Sequence, residues 1–307
     1  MTAPVLAAVG KLPVHGDFIR INHSLVPEIL EIDRWLLQGI ERGYDRRGRG
    51  FDAELRALPP LRLLYTSART GRLWNGFVLP STDSVGRVYP FVVGFVSPDQ
   101  ASGPSFDRLP LAASTTLRQI RALVDGAAGA GSLASLSERL LAIPVDVEPS
   151  TSEQSLRRFL LATTLDSVWA NWPGFQQPER RQVCMQQLWG VTQPPFPPRY
   201  LTLVPLQRAA SEACFWLSLL RQWAAVRANP AIVAWPVDEA VGPLRLAYDE
   251  LHARYFEPLF WPDRADSGVL DVGRPTSARS AALPAEVVEA LRPRTLLQDV
   301  ILAAGRR

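Results

Sequence analysis

Two polar loops contain the side chains of this sequence that are able to do chemistry. The first loop is Gly10–Asp17 (GKLPVHGD) and the second loop is Pro80–Pro90 (PSTDSVGRVYP). A serine, a histidine and an aspartate can serve as nucleophile, base and orienting carboxylate when the fold brings them together. The candidate residues are Lys11, His15 and Asp17 in the first loop and Ser81, Asp83 and Arg87 in the second. One hypothesis is therefore a small hydrolase that uses His15 with Ser81 or with an acid.

The same residue types also have a purely structural use. Aspartates cap turns, and arginine pairs with carboxylates through charge-assisted hydrogen bonds. Asp17, Asp83 and Arg87 would then hold the two loops together, and Asp17–Arg87 is the first pair to examine. No nucleophile-elbow pattern surrounds Ser81. The sequence leaves both interpretations open, because only the mutual geometry of the side chains separates them.

The spacing of the ligand-type residues does not indicate a metal or cofactor site. His15, His23 and His252 lie far apart and do not follow a zinc-binding pattern. The first loop lacks the spacing and the Lys-Ser/Thr ending of a phosphate-binding loop. Cys184 and Cys214 form no metal-binding or disulfide framework. We therefore predict no metal, no cofactor, and two reduced, buried thiols in a cytoplasmic protein.

Composition narrows the function classes further. With 307 residues, of which 47% are apolar and 21% charged, the chain has the composition of an ordinary globular protein. The net charge is only +3 despite a pI of about 9.1, so nucleic acid is not the expected partner. The N-terminus does not resemble a signal peptide, and no apolar run is long enough to span a bilayer. These features predict a cytoplasmic protein without membrane insertion.

Both loops need strands to position them. The apolar run Val5–Val9 leads into the first loop and is predicted to be a strand buried on both faces. On either side of the second loop, the runs Leu73–Leu79 and Val88–Val96 are rich in residues that favour strands. We predict that they form an antiparallel pair with a connection longer than the tightest hairpins. Neither run alternates between apolar and polar residues, so both faces of this pair should be covered.

The rest of the chain mixes strand patterns with longer helical patterns. Further strands are predicted at Leu61–Tyr65, Tyr200–Val204 and Ala231–Trp235, with a short one within Asp266–Gly273. Helices are predicted at Leu25–Ile40, Leu109–Val124, Leu133–Leu141, Glu153–Leu165, Arg180–Trp189, Ser211–Val226, Leu244–Phe256, Ala285–Leu291 and Thr295–Ala303. For the first helix, Ser24 is the expected cap and Gly43 the expected stop. The arginine-rich stretch Arg42–Arg49 is expected to be a loop or a frayed helix end.

This order of elements favours the α/β class. We predict a mixed, largely antiparallel central sheet sandwiched between helices, with a helix-rich C-terminal half. The stretch Pro144–Thr151 has prolines, acids and no periodicity, which makes it the best candidate boundary. It would separate an N-terminal α/β domain, residues 1–145, from a C-terminal region, residues 151–307, that either stands alone or packs into the same globule.

The aromatic residues allow two interpretations. Seven of the nine tryptophans lie in the second half of the chain. They either pack in the core or form a protein-binding face, since Trp and Tyr are common at the centres of interfaces. The segment Tyr255–Asp263 (YFEPLFWPD) is the best local patch for a binding face, as an exposed or docked loop.

Both loops belong to longer motifs. The first loop continues to GKLPVHGDF and leads into a helix that contains IDRWLLQGI (Ile32–Ile40). The second motif consists of Trp74, Gly76, Pro80, Ser81, Asp83, Val85, Gly86, Arg87, Tyr89 and Pro90. In this order, over roughly residues 5–140, the motifs resemble the type VI secretion-associated TagF family, also called ImpM. That family has a GKLP-x-x-GDF loop, a WD-x-WL helix and a W-x-G-V-x-x-PS-x-D-x-VGR-x-(F/Y)P segment. Ile32 replaces the first tryptophan of the helix motif, while Asp33, Trp35 and Leu36 match.

The resemblance implies an α/β sandwich and a non-enzymatic role. Members of the family are cytoplasmic, post-translational regulators of type VI secretion and are associated with its repression. In some systems they act through an accessory protein with a forkhead-associated domain, which makes such a protein the expected partner. The two loops would then be either a signature of the fold or the partner surface. The candidate residues for that surface are Lys11, His15, Asp17, Ser81, Asp83 and Arg87.

Overall fold

A mixed β-sheet runs through both halves of the chain. In the computed structural model the described residues are 3–97, 105–127, 132–147, 149–170, 175–192, 201–204, 209–223, 229–237, 242–261, 269–271, 282–292 and 294–305. The strands are β1 (Val5–Gly10), β2 (Ile19–Ile21), β3 (Leu61–Thr66), β4 (Leu73–Leu79), β5 (Phe91–Val96), β6 (Leu201–Val204), β7 (Ile232–Pro236), β8 (Leu244–Ala247) and β9 (Val269–Asp271). Their order across the sheet is β2-β1-β5-β4-β3-β7-β8-β6-β9. Only the β6–β9 pair among these is parallel.

Helices cover both faces of this sheet. They are α1 (Pro27–Arg47), α2 (Phe51–Arg56), α3 (Leu109–Ala112), α4 (Ser114–Asp125), α5 (Leu133–Leu141), α6 (Pro149–Ala162), α7 (Leu165–Trp169), α8 (Pro178–Val191), α9 (Ala209–Trp223), α10 (Phe256–Phe260), α11 (Ala285–Ala290) and α12 (Leu297–Ala304). One face packs against α1, α2 and α10. On the other face, one cluster includes α4 and α5, and a larger cluster contains α9 and its neighbours. The predicted α/β sandwich with a largely antiparallel sheet is confirmed.

The strands around the second loop follow the sequence closely. β4 has the predicted bounds and pairs antiparallel with β5, and both strands are buried at every position. β5 begins at Phe91 instead of Val88, because Val88 forms only an isolated bridge with Thr82 and Pro90 has no N–H to donate. The three-residue edge strand β2 was not predicted, since so short a run carries no clear period.

The pairing of β3 with β7 joins the two halves of the chain into one sheet. At this junction Arg62 is buried, and its Nη2 donates to Asn75 Oδ1 at 2.7 Å. The guanidinium also lies over the rings of Phe77 and Trp235. Burial lowers the pKa of Arg62 to about 9, which leaves it charged at neutral pH. The division into residues 1–145 and 151–307 stays a prediction.

Helix α1 is longer than its sequence pattern indicates. It continues through the predicted stop at Gly43 to Arg47. Of the two alternatives for Arg42–Arg49, the loop is therefore wrong for most of its length, because residues 42–47 form the end of the helix. A Cβ at Gly43 would lie 2.1 Å from Cε1 of Phe51, which shows that this glycine makes room for α2. Ser24 is not the cap either, because the helix begins after Val26 with Pro27 in its first turn.

The predicted helix Leu244–Phe256 is wrong. Leu244–Ala247 is the strand β8, which pairs with β7 and β6, and the helical residues begin only at Ala253. A helical period in these residues is overridden by the backbone hydrogen bonds that the neighbouring strands offer. Leu109–Val124 is also divided, into α3 and α4, and the short helices α2 and α7 were not predicted.

The other helices are confirmed, α5 with the predicted bounds and the rest with shifted ends. α6 and α9 begin earlier than predicted, and the described part of α9 ends at Trp223, so Val226 lies outside the described residues. The proline-dense segment 194–198 also lies outside them. Among the described residues, no helix combines the length and the apolar character needed to cross a membrane.

The aromatic segment that begins at Tyr255 packs inward. Phe256 and Phe260 are buried, with ring centroids 5.7 and 6.1 Å from that of Trp35 in α1. A Cβ at Gly39 would lie 2.1 Å from the ring of Phe256, so this glycine allows α10 to approach α1. The core interpretation therefore holds for residues 255–260.

A pair of facing glycines in β4 and β5 provides a test of this packing. Gly76 and Gly94 are direct partners, and a Cβ at Gly94 would lie 2.5 Å from the Cα of Gly76 and 2.4 Å from the carbonyl oxygen of Asn75. We expect Gly94→Ala to lower the free energy of unfolding by about 1–3 kcal/mol or more, since backbone atoms must move. Urea unfolding followed by tryptophan fluorescence measures this.

Gly50→Ala is the matched control. Its added Cβ would meet nothing within 4 Å, and its φ of −62° suits alanine. We expect its unfolding free energy to be unchanged or slightly raised. An equal loss of stability in both variants would contradict the packing argument.

Candidate functional site

The first and second loops are brought together by the pairing of β1 with β5. Gly10 ends β1 with a φ of 127°, a conformation that favours glycine. A Cβ there would lie 2.1 Å from the carbonyl oxygen of Pro90, which closes the second loop. Gly10 is therefore needed for the close approach of the two loop ends, which accounts for its place in the first motif.

Asp83 is the centre of the contact between the loops. Its side chain is fully buried, and its Oδ2 accepts from Arg87 Nε at 2.6 Å and lies 3.2 Å from Lys11 Nζ. Its Oδ1 accepts from the backbone N–H groups of Val85 at 3.1 Å and Arg87 at 2.8 Å. One carboxylate thus caps the turn of the second loop and binds a cation from the first.

The surroundings of Asp83 hold it in the ionised form. Burial of the carboxyl raises its pKa, but the hydrogen bonds from the backbone and side chain of Arg87 and from Lys11 act more strongly in the other direction. The pKa of Asp83 therefore lies well below its usual range. The buried charge is stable because every group that faces it is a donor or a cation.

Backbone groups complete the junction. Ser84 N–H donates to the carbonyl oxygen of His15 at 3.0 Å, and Arg87 Nη2 donates to that of Gly16 at 2.7 Å. The sequence favoured Asp17 as the partner of Arg87, and the structure places Asp83 there instead. Asp17 is exposed and forms no ion pair with the other described residues.

The structure does not bring the proposed hydrolase residues together. Both loops lie within the described residues 3–97, and no hydrogen bond there joins His15 to Ser81. Among the described residues, Ser81 Oγ donates only to the carbonyl oxygen of Thr82, at 3.5 Å, and the buried Nε2 of His15 has no partner. A cavity of about 450 Å³ beside the second loop is lined by Ser81 but not by His15. These loops therefore lack the nucleophile–base contact that the hydrolase hypothesis requires.

Metal-ligating residues are scattered in the part of the chain that the structure describes. No group of three or more His, Cys, Asp or Glu side chains there could hold a metal ion. Cys184 and Cys214 are both buried, free thiols, and burial raises the pKa of Cys214 above its usual value.

The tips of the two loops form an exposed surface above Asp83. We call it the loop-tip face, and its residues are Val14, Gly16, Asp17, Ser84, Val85 and Arg87. The side chain of Val85 is 71% exposed and that of Val14 is 39% exposed. The face therefore combines two apolar side chains with one acidic and one basic side chain on a backbone that the Asp83 contacts fix.

Sequence reasoning missed a polar contact that links the helix motif to the second loop. Tyr89 Oη donates to Asp33 Oδ1 at 2.6 Å, and Asp33 Oδ2 lies 3.1 Å from Nε2 of His23. Burial raises the pKa of Tyr89, and its hydrogen bond to Asp33 raises it further. The presence of Asp33 and Tyr89 in the two quoted motifs was the available signal.

Substitution of Asp83 tests whether its charge holds the loops together. We expect Asp83→Asn to lower the melting temperature at pH 7, because Lys11 and Arg87 lose their anionic partner. The folded pKa lies below the unfolded value of about 3.9, so the carboxylate stabilises the fold above that pH and loses this effect as pH falls through its folded pKa. The difference from wild type should therefore narrow only below about pH 4. Thermal unfolding followed by circular dichroism, from pH 7 to below about pH 4, measures both the lower melting temperature and its pH dependence.

Asp17→Asn is the control in the same pair of loops. Asp17 is exposed and makes no ion pair with the other described residues. The melting temperature of the Asp17→Asn protein should therefore equal that of wild type at every pH. A drop for Asp17→Asn as large as that for Asp83→Asn would show that general loop charge, and not the buried carboxylate, matters.

A match to a known protein family agrees with the motif resemblance. Residues 7–143 match the family model of the TagF N-terminal domain, described as type VI secretion system-associated. No curated protein matches the chain. The crystal structure of PA0076 from Pseudomonas aeruginosa PAO1 is similar over 46% of this chain and 63% of that chain, with 21% sequence identity and a TM-score of 0.38. This chain thus covers less than two thirds of that protein's length. Residues 7–143 belong to the TagF N-terminal domain family, which is associated with type VI secretion.

Proposed function

We propose that this protein is a non-enzymatic regulator of type VI secretion that acts after translation by binding another component of the secretion system. The match of residues 7–143 to the TagF N-terminal domain carries this proposal. The regulator is cytoplasmic, represses assembly or activity of the apparatus, and has a forkhead-associated-domain protein as its partner. It needs neither a metal nor a cofactor, and it binds neither nucleic acid nor membrane.

We assign partner binding to the loop-tip face. Support comes from its exposed Val85 and Val14, which are apolar side chains of the kind that interfaces bury. Its backbone is held from below by Asp83 and from the side by Arg56, whose Nη2 donates to the carbonyl oxygen of Gly86 at 2.8 Å. A surface fixed in this way loses little conformational entropy when a partner binds.

The residues of the two loops then have separate tasks. Asp83 and Lys11 act in the fold, since their contact is buried between the loops. Val85, Val14 and Asp17 act in recognition, because their side chains are exposed. Arg87 does both, since it binds Asp83 with one nitrogen and its side chain is 63% exposed.

The partner is identified by co-purification of the tagged chain from cells that express the secretion machinery, followed by mass spectrometry. We expect a forkhead-associated-domain protein or another secretion component. Recovery of the chain alone, with the machinery present, would contradict a stable partner.

Val85→Asp tests the loop-tip face directly. We expect it to weaken binding of the purified forkhead-associated-domain protein about tenfold or more, because a charge is buried without a partner in the interface. The melting temperature should stay near wild type, since the side chain is 71% exposed. Biolayer interferometry measures the dissociation constant.

Val288→Asp is the matched control. It makes the same exchange at a valine that is 43% exposed in α11, in the other half of the chain. Its affinity should equal that of wild type. If Val85→Asp binds as tightly as Val288→Asp, the partner surface lies elsewhere on the protein.

A further inference from the structure

A polar cleft of about 660 Å³ lies outside the two loops. It opens between the short helical turn Phe106–Arg108 and the helices α6, α9 and α12, so its walls come from both halves of the chain. Its volume falls in the range of sites that hold small molecules. Neither the TagF motifs nor the proposed partner surface includes it.

Three arginines from three elements line this cleft. They are Arg108 in the turn, Arg157 in α6 and Arg221 in α9. Arg157 is exposed and has no ion-pair partner among the described residues. The side chain of Arg221 is 54% exposed, and its ion pair with Asp107 uses Nη1. Guanidinium groups have five N–H donors, so most of those in the cleft remain available to a ligand.

The floor of the cleft fixes two of these arginines in place. The buried Asp107 accepts from Ser218 Oγ at 2.7 Å and from Arg221 Nη1 at 2.8 Å, and its Oδ2 lies 3.4 Å from Arg108 Nε. Burial raises the pKa of Asp107, but its hydrogen bonds, that from Ser218 first, hold it below the usual range. Asp107 is therefore ionised, and its carboxylate already interacts with Ser218, Arg221 and Arg108.

The remaining lining residues are suited to an organic ligand. Gln222 and Gln298 add neutral amide donors, and Leu156, Leu160 and Ile301 supply an apolar wall. Glu153 is the other acid of the cleft, and its side chain is 70% exposed at the rim. With three arginines against Asp107 and Glu153, the cleft keeps a positive excess.

We propose that this cleft binds a small organic anion with two or more carboxylate or phosphate groups. The planar guanidinium groups bind such oxyanions through paired hydrogen bonds. Asp107 positions Arg108 and Arg221, Arg157 supplies the unpaired charge, and the leucine wall contacts the carbon skeleton. The site does not depend on the proposed role in secretion.

The test is isothermal titration of the full chain with citrate and, separately, with inorganic pyrophosphate at constant ionic strength. We expect saturable binding of one or both probes, which also separates carboxylate from phosphate preference. Arg157→Ala should weaken that binding about tenfold or more, because one charge-assisted contact is lost. Glu153→Gln should strengthen it about two- to fivefold, because a competing negative charge at the rim is removed.

Arg158→Ala is the matched control, since Arg158 is the exposed neighbour on α6 and does not line the cleft. Its affinity should equal that of wild type. The proposal is overturned if neither probe binds saturably, or if Arg158→Ala weakens binding as much as Arg157→Ala, which would indicate general attraction to surface charge. Circular dichroism melts confirm that each variant is folded before its titration is interpreted.

Discussion

The buried carboxylate of Asp83 is the contact on which the two loops depend. A carboxylate without solvent is costly unless cations and hydrogen-bond donors surround it. Here Arg87 and Lys11 bind one oxygen while two backbone N–H groups bind the other, so the site uses residues from both loops at once. This requirement fixes the turn of the second loop and its distance from the first. The exposed tip above it takes its shape from this buried contact.

The sheet provides the second constraint. Pairing of β1 with β5 places the ends of both loops side by side, and Gly10 is the residue that lets them meet at Pro90. The contact of Tyr89 with Asp33 then ties the second loop to α1. Many residues of the TagF motifs therefore have a structural reason for their identity. The exposed side chains of Val85, Val14 and Asp17 make no such contact among the described residues, which is why we assign recognition to them.

The sequence predicted those features that local pattern alone determines. The bounds of β4 follow from a continuous apolar run between turn residues. Other features depend on contacts between distant segments. The sequence pattern predicts that Gly43 ends α1, whereas in the structure this glycine makes room for the ring of Phe51. Leu244–Ala247 forms a strand because it pairs with β6 and β7. Likewise, the loops contain Asp17 and Asp83 as candidate partners of Arg87, and only the three-dimensional arrangement shows that Asp83 is the buried one. The hydrolase hypothesis for His15 and Ser81 also depended on the three-dimensional arrangement, which does not join these two side chains.

Asp83 and Asp107 are buried carboxylates that stabilise two different parts of the surface. Each is a buried aspartate with a lowered pKa that binds a cation from another segment, Lys11 at Asp83 and Arg221 at Asp107. At Asp83 the second contact of Arg87 goes to the carbonyl oxygen of Gly16, so the arginine closes the junction between the loops. At Asp107 the arginines remain beside an open cleft, next to Arg157, which pairs with no acid in the part of the chain that the structure describes. Asp83 thus stiffens the junction between the loops, whereas Asp107 holds arginine N–H donors beside the cleft. Asp107 lies within residues 7–143, which match the TagF N-terminal domain, whereas Ser218 and Arg221 lie in the second half of the chain. The cleft therefore exists only because the two halves pack together.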